Sequence, residues 1–174
     1  MEDRNWQKVD EWMKLYGDRL IRVIYLLINN YHVAEEITQE VFVKAYSNMG
    51  SFRGDSSPYT WLYRVALNLS KNHLSRKSRI WFIPFKNVER ENRITEPLED
   101  IVISLDINGR VRGCILKLPL IYREVIILYY FEDLKVSEIA QVLEQPEGTV
   151  KSKLFRGREL LEDIIRKEGL ADGR

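Results

Sequence analysis

The chain has few cysteines and histidines, the residues that form disulfides and bind transition metals. Its 174 residues include one cysteine, Cys114, and two isolated histidines, His32 and His73. A single cysteine excludes an internal disulfide, which fits a reducing compartment and predicts a cytoplasmic protein. We expect Cys114 to be a small core residue, with a redox role as the alternative. Without metal-ligand spacing, a phosphate-cradling glycine loop or a nucleophile beside a base, the sequence predicts no metal, no cofactor, no small-molecule substrate and no catalytic residue.

Long apolar runs and an excess of one charge are also missing. The apolar stretch at residues 20–28 is interrupted by Arg22 and is too short to cross a bilayer, so we expect no membrane-embedded segment. The chain carries 27 Lys and Arg against 26 Asp and Glu, so its net charge does not indicate a nucleic-acid partner. The distribution of the charges does indicate a nucleic-acid partner, because cations gather near residues 71–79 and 151–158.

Strand patterns are nearly absent, and apolar residues recur at helical spacing along most of the chain. One helix is predicted over residues 5–29, where Gly17 could mark a bend, and a second from about 33 to 49. The pair Ser57–Pro58 is a strong helix-start signal. Serine can cap the first turn of a helix, and proline is well tolerated at the first helical position. This third helix is predicted to run to about residue 76.

Residues 77–103 break the helical pattern with two prolines and mixed charges, which is typical of a linker. An apolar cluster in this segment could pack on the first domain or contact a partner; it consists of Trp81, Phe82 and Phe85. Helices resume near residue 104 and again at Pro119. The prediction is therefore an all-α protein with two small helical domains, residues 1–78 and 104–174, joined by a flexible linker at 79–103.

Residues 137–161 have the pattern of a helix, a tight turn and a second helix rich in cations. Pro146 ends the first helix, and in the second an apolar stripe through Val150 and Leu154 indicates the buried side. The opposite side carries polar and aromatic residues suited to phosphates and base edges, flanked by Lys153 and Arg158; these are Lys151, Ser152, Phe155 and Arg156. The pattern predicts a DNA-reading helix-turn-helix, and the alternative is a solvated basic face on an ordinary helical hairpin.

The third helix has a second polar surface. Aromatic, amide and cationic side chains follow one another along it, at Trp61, Arg64, Asn68, Lys71 and Asn72. Rings can stack on exposed bases, amides can bond their edges and cations can hold phosphates, so the surface suits melted DNA. The aromatics Trp61 and Tyr63 could equally be core residues.

The order of these motifs resembles that of one family. The segments 34–45 (AEEITQEVFVKA) and 52–68 (FRGDSSPYTWLYRVALN), together with Leu118–Pro119, Arg123, 138–140 (EIA), 148–152 (GTVKS) and 156–158 (RGR), closely resemble the extracytoplasmic-function sigma factors of bacterial RNA polymerase. The resemblance covers about residues 15–165. It implies a promoter-recognition subunit that binds core polymerase and opens DNA, and the alternative is a stand-alone helix-turn-helix regulator.

The resemblance also assigns roles to residues. Glu36, Gln39 and Glu40 match the segment that binds the clamp of the β′ subunit, although without the family they would be expected to form a solvated acidic face. Phe52, Arg53 and the polar surface of the third helix match positions that hold melted DNA at the −10 element. Lys151, Ser152, Lys153, Phe155, Arg156 and Arg158 match the −35 element contacts. The family also implies an anti-sigma factor as a further partner.

Four positions depart from the usual family pattern. Lys135 replaces the hydroxyl residue of a capping box, so the first helix of the motif is expected to start differently. Glu144 stands where glycine is common, and a left-handed conformation there would cost roughly 1 kcal/mol. Asn72 replaces aspartate and Gly157 replaces alanine. None of these changes removes a side chain that is predicted to face DNA.

Overall fold

A computed structural model describes residues 2–49, 57–80 and 109–170. Within these ranges the chain forms seven α-helices and no strand, which confirms the all-α prediction. The N-terminal half contains α1 (Glu2–Ile28), α2 (Tyr31–Asn48) and α3 (Pro58–Ile80). The C-terminal half contains α4 (Gly109–Lys117), α5 (Leu120–Tyr130), α6 (Val136–Leu143) and α7 (Glu147–Lys167).

Helix α1 begins at Glu2, three residues before the predicted start, and ends at Ile28. It continues through Gly17, because one glycine costs a helix only about 1 kcal/mol and the packing on either side of it is retained. Val9 and Trp12 are buried as their spacing predicts. Trp6 and Met13 of the same helix are exposed, and the Trp6 ring lies edge-on to Tyr46 of α2, with 6.0 Å between the ring centroids.

The starts of α2 and α3 follow local capping rules. Asn29 adopts a left-handed conformation, and the side chain of Asn30 accepts a hydrogen bond from the Val33 N–H at 3.0 Å. Before α3, the Ser57 hydroxyl accepts from the Thr60 N–H at 3.4 Å, and Pro58 is the first helical residue, as predicted. Helix α3 ends at Ile80, four residues later than predicted, and so includes the first two residues of the predicted linker.

The remainder of the linker and the expected helical start at residue 104 lie outside the described residues, as does the cluster of Trp81, Phe82 and Phe85. In the C-terminal half, Cys114 is a buried core residue. Helix α5 begins after Pro119, where the sequence predicts a start. The last helix, α7, packs its apolar side on α5 and α6.

The two halves share a continuous core in this structure. Residues 23–27 of α1 are all buried, because α2 and α3 cover one side of the helix and α4 and α5 cover the other. Arg123 of α5 joins the halves by donating to the Leu27 carbonyl at 2.7 Å, and it also donates to the Leu118 carbonyl at 2.8 Å. Burial lowers the pKa of Arg123 from its ordinary value.

Candidate nucleic-acid interface

The turn between α6 and α7 fixes the angle at which α7 is presented. Glu144 adopts a left-handed conformation with φ 54° and ψ 45°, as expected from its place at the glycine-preferring position. The Gln145 N–H donates to the Ala140 carbonyl at 3.0 Å, which closes the end of α6 in the Schellman manner. An ion pair of 3.0 Å between Glu144 and Arg64 of α3 favours this strained conformation.

The start of α6 keeps half of a capping box. The Lys135 side chain cannot accept a hydrogen bond, but the Glu138 carboxylate accepts from the Lys135 N–H at 2.7 Å. The same carboxylate accepts from the Tyr59 hydroxyl of α3. The hydrogen bond from Tyr59, followed by that from Lys135, lowers the pKa of Glu138. The helix therefore begins at Val136 with one of the two reciprocal bonds.

Helix α7 lies close against α5 along its buried side. Val150, Leu154 and Gly157 are buried, as their spacing predicts. A Cβ placed on Gly157 would lie 3.1 Å from Ile126 Cγ1, so the missing side chain permits the close approach. The opposite side of α7 is exposed and is called the α7 outward face; it consists of Lys151, Ser152, Phe155 and Arg156. Phe155 is 62% exposed and so presents its ring to solvent on this face.

The two flanking cations differ from each other. Arg158 is exposed and lies over the rings of Tyr129 and Tyr130, 5.3 Å and 5.6 Å from their centroids. Lys153 is turned inward, with 16% of its side chain exposed and its ammonium 3.7 Å from the Glu124 carboxylate of α5. Four of the six predicted −35 residues thus share one exposed surface, whereas Lys153 faces the protein.

The polar surface of α3 is divided in a similar way. Asn68 and Asn72 are exposed, and Trp61 is half-buried. Arg64 and Lys71 point towards the C-terminal half, where Arg64 donates to the Gln141 carbonyl at 2.7 Å. The Lys71 ammonium lies 2.6 Å from the second oxygen of Glu124. Phe52 and Arg53 lie outside the described residues. Trp61 and Tyr63 could each have been core residues from the sequence, and Tyr63 is one, with 1% exposure.

Helix α2 presents a third polar surface, called the α2 polar face. Glu36, Gln39 and Glu40 are exposed on it, and Val43 continues it with 63% exposure. The opposite side is buried and holds Ile37, Val41 and Ala45, together with Met49 just beyond the end of the helix. The periodicity of α2 therefore predicted both of its sides.

Sequence reasoning missed the acidic residues between the halves. The Glu132 side chain is fully buried and pairs with Arg19 at 2.9 Å and Arg22 at 2.6 Å. It also accepts a hydrogen bond from the Tyr63 hydroxyl, whose pKa is raised by burial and then by the Glu132 charge. No local signal marks Glu132, because its partners lie 69 to 113 residues away in sequence.

Comparisons with known proteins identify the family. The chain is 36% identical over 165 residues to the ECF RNA polymerase sigma factor SigW of Bacillus subtilis, covering 87% of this chain and 86% of that protein. This chain belongs to the extracytoplasmic-function sigma factors. Residues 12–80 of the chain match the family Sigma-70 region 2, and residues 108–161 match the family Sigma-70, region 4. Relatives of this extracytoplasmic-function type include the sigma-E factor of Escherichia coli, 36% identical over 138 residues, with 75% of this chain and 72% of that protein covered.

Solved structures share the fold. The sigma factor RpoE of Bartonella quintana, in complex with the anti-sigma factor NepR, has a TM-score of 0.70 and covers 92% of this chain and 98% of that one, at 20% identity. CnrH in complex with the cytosolic domain of CnrY has a TM-score of 0.71 and covers 95% of this chain and 92% of that one, also at 20% identity. Because both identities are low, these structures show the fold alone.

The function and the partners of the protein follow from its family. Sigma-70 proteins bind core RNA polymerase and promoter DNA, so this extracytoplasmic-function sigma factor is a transcription initiation factor with both as partners. The region 2 match separates it from a stand-alone helix-turn-helix regulator. In the described ranges no helix is long and apolar enough to cross a membrane. No cluster of His, Cys, Asp and Glu suited to a metal ion occurs there either.

Proposed function

We propose that the α7 outward face reads the −35 element of the promoter. The observation that carries this proposal is an exposed aromatic, Phe155, beside Arg156 and Ser152 on the side of α7 that faces away from the core. Such a set can contact a thymine methyl and guanine edges in a major groove. Arg158 would add a phosphate contact at the edge of this surface.

The −10 element is assigned to the polar surface of α3. Exposed Asn68 and Asn72 offer donors and acceptors that match a base edge once the base has left the stack. Half-buried Trp61 provides a ring, and Arg64 and Lys71 provide charge for the backbone. Phe52 and Arg53 complete the proposed pocket from the segment before α3.

The α2 polar face is assigned to the clamp of the β′ subunit. Glu36, Gln39 and Glu40 stand on one exposed side of a helix whose other side is core. A rigid helix of this kind can offer an acidic surface to a partner without a change in its own packing. The exposed Val43 would add apolar contact at the C-terminal end of that surface.

The remaining proposals concern setting and control. We propose that the protein acts in the cytoplasm and is not itself a catalyst. We also propose that an anti-sigma factor holds it inactive, since the similarly folded RpoE is in complex with the anti-sigma factor NepR.

Run-off transcription tests the assignment as a whole. Core RNA polymerase of the source bacterium is incubated with a genomic promoter library, with and without the purified chain. We expect transcripts from a limited set of promoters only when the chain is present. If the transcript pattern does not change when the chain is omitted, the proposal is wrong. The same assay with the chain alone, without core, controls for contaminating polymerase.

A further inference from the structure

Arg158 of α7 is held by two aromatic rings. Its guanidinium carbon lies 5.3 Å from the centroid of the Tyr129 ring and 5.6 Å from that of Tyr130. These tyrosines are the last two residues of α5, and their rings meet edge to face with 5.0 Å between the centroids. A cation within about 6 Å of a ring centroid is attracted by the negative face of the ring. The two rings, called the α5 ring pair, therefore favour one position of the Arg158 side chain.

The partner of an arginine decides what its guanidinium can still bind. Arg64 is paired with the Glu144 carboxylate, which occupies N–H donors and cancels the charge. A ring face instead orients the plane of a guanidinium and leaves the N–H groups at its edge available. In the described ranges Arg158 makes no ion pair, and its side chain makes no hydrogen bond. Its charge and its donors are therefore available to an anion.

Arg158 stands beside the α7 outward face. Because a helix has about 3.6 residues per turn, Arg158 lies two turns from Lys151 on the same flank of α7. Both side chains are exposed, whereas Lys153 on the opposite flank is turned towards Glu124. The flank of Lys151 and Arg158 is thus the edge of the proposed reading surface that carries available positive charge. The phosphates that border a major groove are the anions that such an edge meets.

Burial does not account for the place of Tyr130. Tyr129 is half-buried and packs against the core, which anchors the ring pair to α5. Tyr130 is 50% exposed, and its ring lies against Tyr129 and Arg158. A tyrosine with this exposure contributes little to a core, so its contact with Arg158 is the feature that has a consequence for binding.

We propose that Tyr129 and Tyr130 are positioning residues of the promoter-reading surface, which hold Arg158 ready for a phosphate of the −35 element. Their role rests on the proposed function of α7, and neither tyrosine needs to touch DNA. Ordering one long side chain on binding lowers affinity by about two- to tenfold, and an arginine that is already ordered avoids this loss. The −35 surface thus includes the end of α5, a helix outside the helix-turn-helix.

Nuclear magnetic resonance of the full chain tests the contact itself. Protons above an aromatic ring resonate upfield, so the Cδ protons of Arg158 should lie upfield of those of exposed Arg156. Arg158→Lys identifies the signal. Tyr129→Leu with Tyr130→Leu, called the Leu pair, should remove the upfield shift, whereas Tyr129→Phe with Tyr130→Phe, called the Phe pair, should keep it. An unshifted signal in the wild type would overturn the proposal.

Promoter affinity of the holoenzyme tests the consequence for DNA. Filter binding at two salt concentrations is measured for core polymerase assembled with each variant. The Leu pair should bind about two- to tenfold more weakly, with an unchanged salt slope because Arg158 still reaches its phosphate. The Phe pair should stay within about twofold of the wild type, since it keeps both ring faces. Arg158→Ala should lose affinity and reduce the salt slope by roughly one unit.

A double-mutant cycle separates positioning from a structural role. In the Arg158→Ala background the rings have no cation to hold, so the Leu pair should then cost less than about twofold. An equal loss with and without Arg158, or the same loss in the Phe pair as in the Leu pair, would overturn the positioning role. Circular dichroism checks that each variant is folded. If the Leu pair does not fold, Tyr130→Leu alone replaces it and should show the same dependence on Arg158.

Failure of the proposed function of α7 looks different. In that event Arg158→Ala and Arg156→Ala both leave promoter affinity and salt slope unchanged. The positioning role fails alone if Arg158→Ala weakens binding and the Leu pair does not, because Arg158 then finds its phosphate equally well without the rings.

Discussion

Lys153 illustrates how a single neighbour changes what a side chain can do. On α7 it borders the outward face, and its spacing suggests a phosphate contact. In the structure it turns towards Glu124, whose carboxylate has 2% exposure. A lysine in that place stabilises the fold, whereas the other five predicted −35 residues are exposed; these are Lys151, Ser152, Phe155, Arg156 and Arg158.

Lys153→Ala should therefore lower stability more than DNA affinity. We expect the free energy of unfolding to fall by about 1–3 kcal/mol, because Glu124 loses one of two cations that compensate its burial. Chemical denaturation measures this loss. A phosphate contact would instead reduce the salt slope of promoter binding by roughly one unit with little change in stability, and that result would contradict the prediction.

Arg156→Ala should relax base preference within the −35 element. Arg156 is exposed beside Ser152 and Phe155, where its guanidinium can contact a guanine edge in two places. Such a contact is worth about 1–3 kcal/mol of discrimination. Transcription from promoters varied at each −35 position measures it, with Arg166→Ala near the end of α7 as the control. An equal loss on every promoter would mean that Arg156 contacts the backbone.

At the scale of elements, the packing of α7 on α5 depends on one missing side chain. Gly157 lies against Ile126 and Tyr122, and a Cβ there would meet Ile126 Cγ1 at 3.1 Å and Tyr122 Cβ at 3.4 Å. Ile126 is 1% exposed and is enclosed by other core residues. A helix ordinarily gains from alanine in place of glycine, so steric fit and helix propensity oppose each other at this position.

Gly157→Ala should destabilise the protein despite its better helix propensity. Crowding in a packed core typically costs about 1–3 kcal/mol, which exceeds the gain of at most about 1 kcal/mol. Gly113→Ala in α4 is the control, since a Cβ there meets nothing within 4 Å, and it should be stabilising. Thermal unfolding of both variants decides the matter. A stabilised Gly157→Ala variant would show that Ile126 moves aside at little cost.

At the scale of the whole molecule, surfaces for different partners are separated. The α2 polar face lies on a helix of the N-terminal half, away from the contacts of Glu124 and Glu132. The α7 outward face belongs to the other half. Contact between the halves therefore leaves both surfaces exposed and covers part of α3.

Glu40→Lys and Gln39→Ala should weaken binding of core polymerase by at least tenfold for the charge reversal, and less for the alanine. Stability should change by no more than about 0.5 kcal/mol, since both side chains are exposed. Pull-down of core with purified variants measures the effect, and Lys8→Glu, exposed on α1, serves as the control for a charge reversal elsewhere. Unchanged pull-down would indicate that the acidic face is only solvated.

Capping signals and apolar periodicity in the sequence by themselves determined the all-α fold class, most helix starts and the buried sides of α2 and α7. Asn30, Ser57 and Pro58 act within one helical turn, and apolar spacing acts along one helix, so both can be read without the fold. The order of motifs along the chain determined the family. The same local rules also identified Glu144 as the left-handed residue of the turn.

Only the tertiary structure decided where Lys153, Arg64 and Lys71 point and that Glu132 is buried. The periodicity of a helix separates an apolar side from a polar one, but it does not say whether the polar side meets water or another element. Arg64 finds Gln141 at a distance of 77 residues in sequence, and Glu132 finds Arg19 at 113. Such partners are set by how the halves pack, because a buried charge is tolerated only where distant opposite charges come within hydrogen-bonding distance.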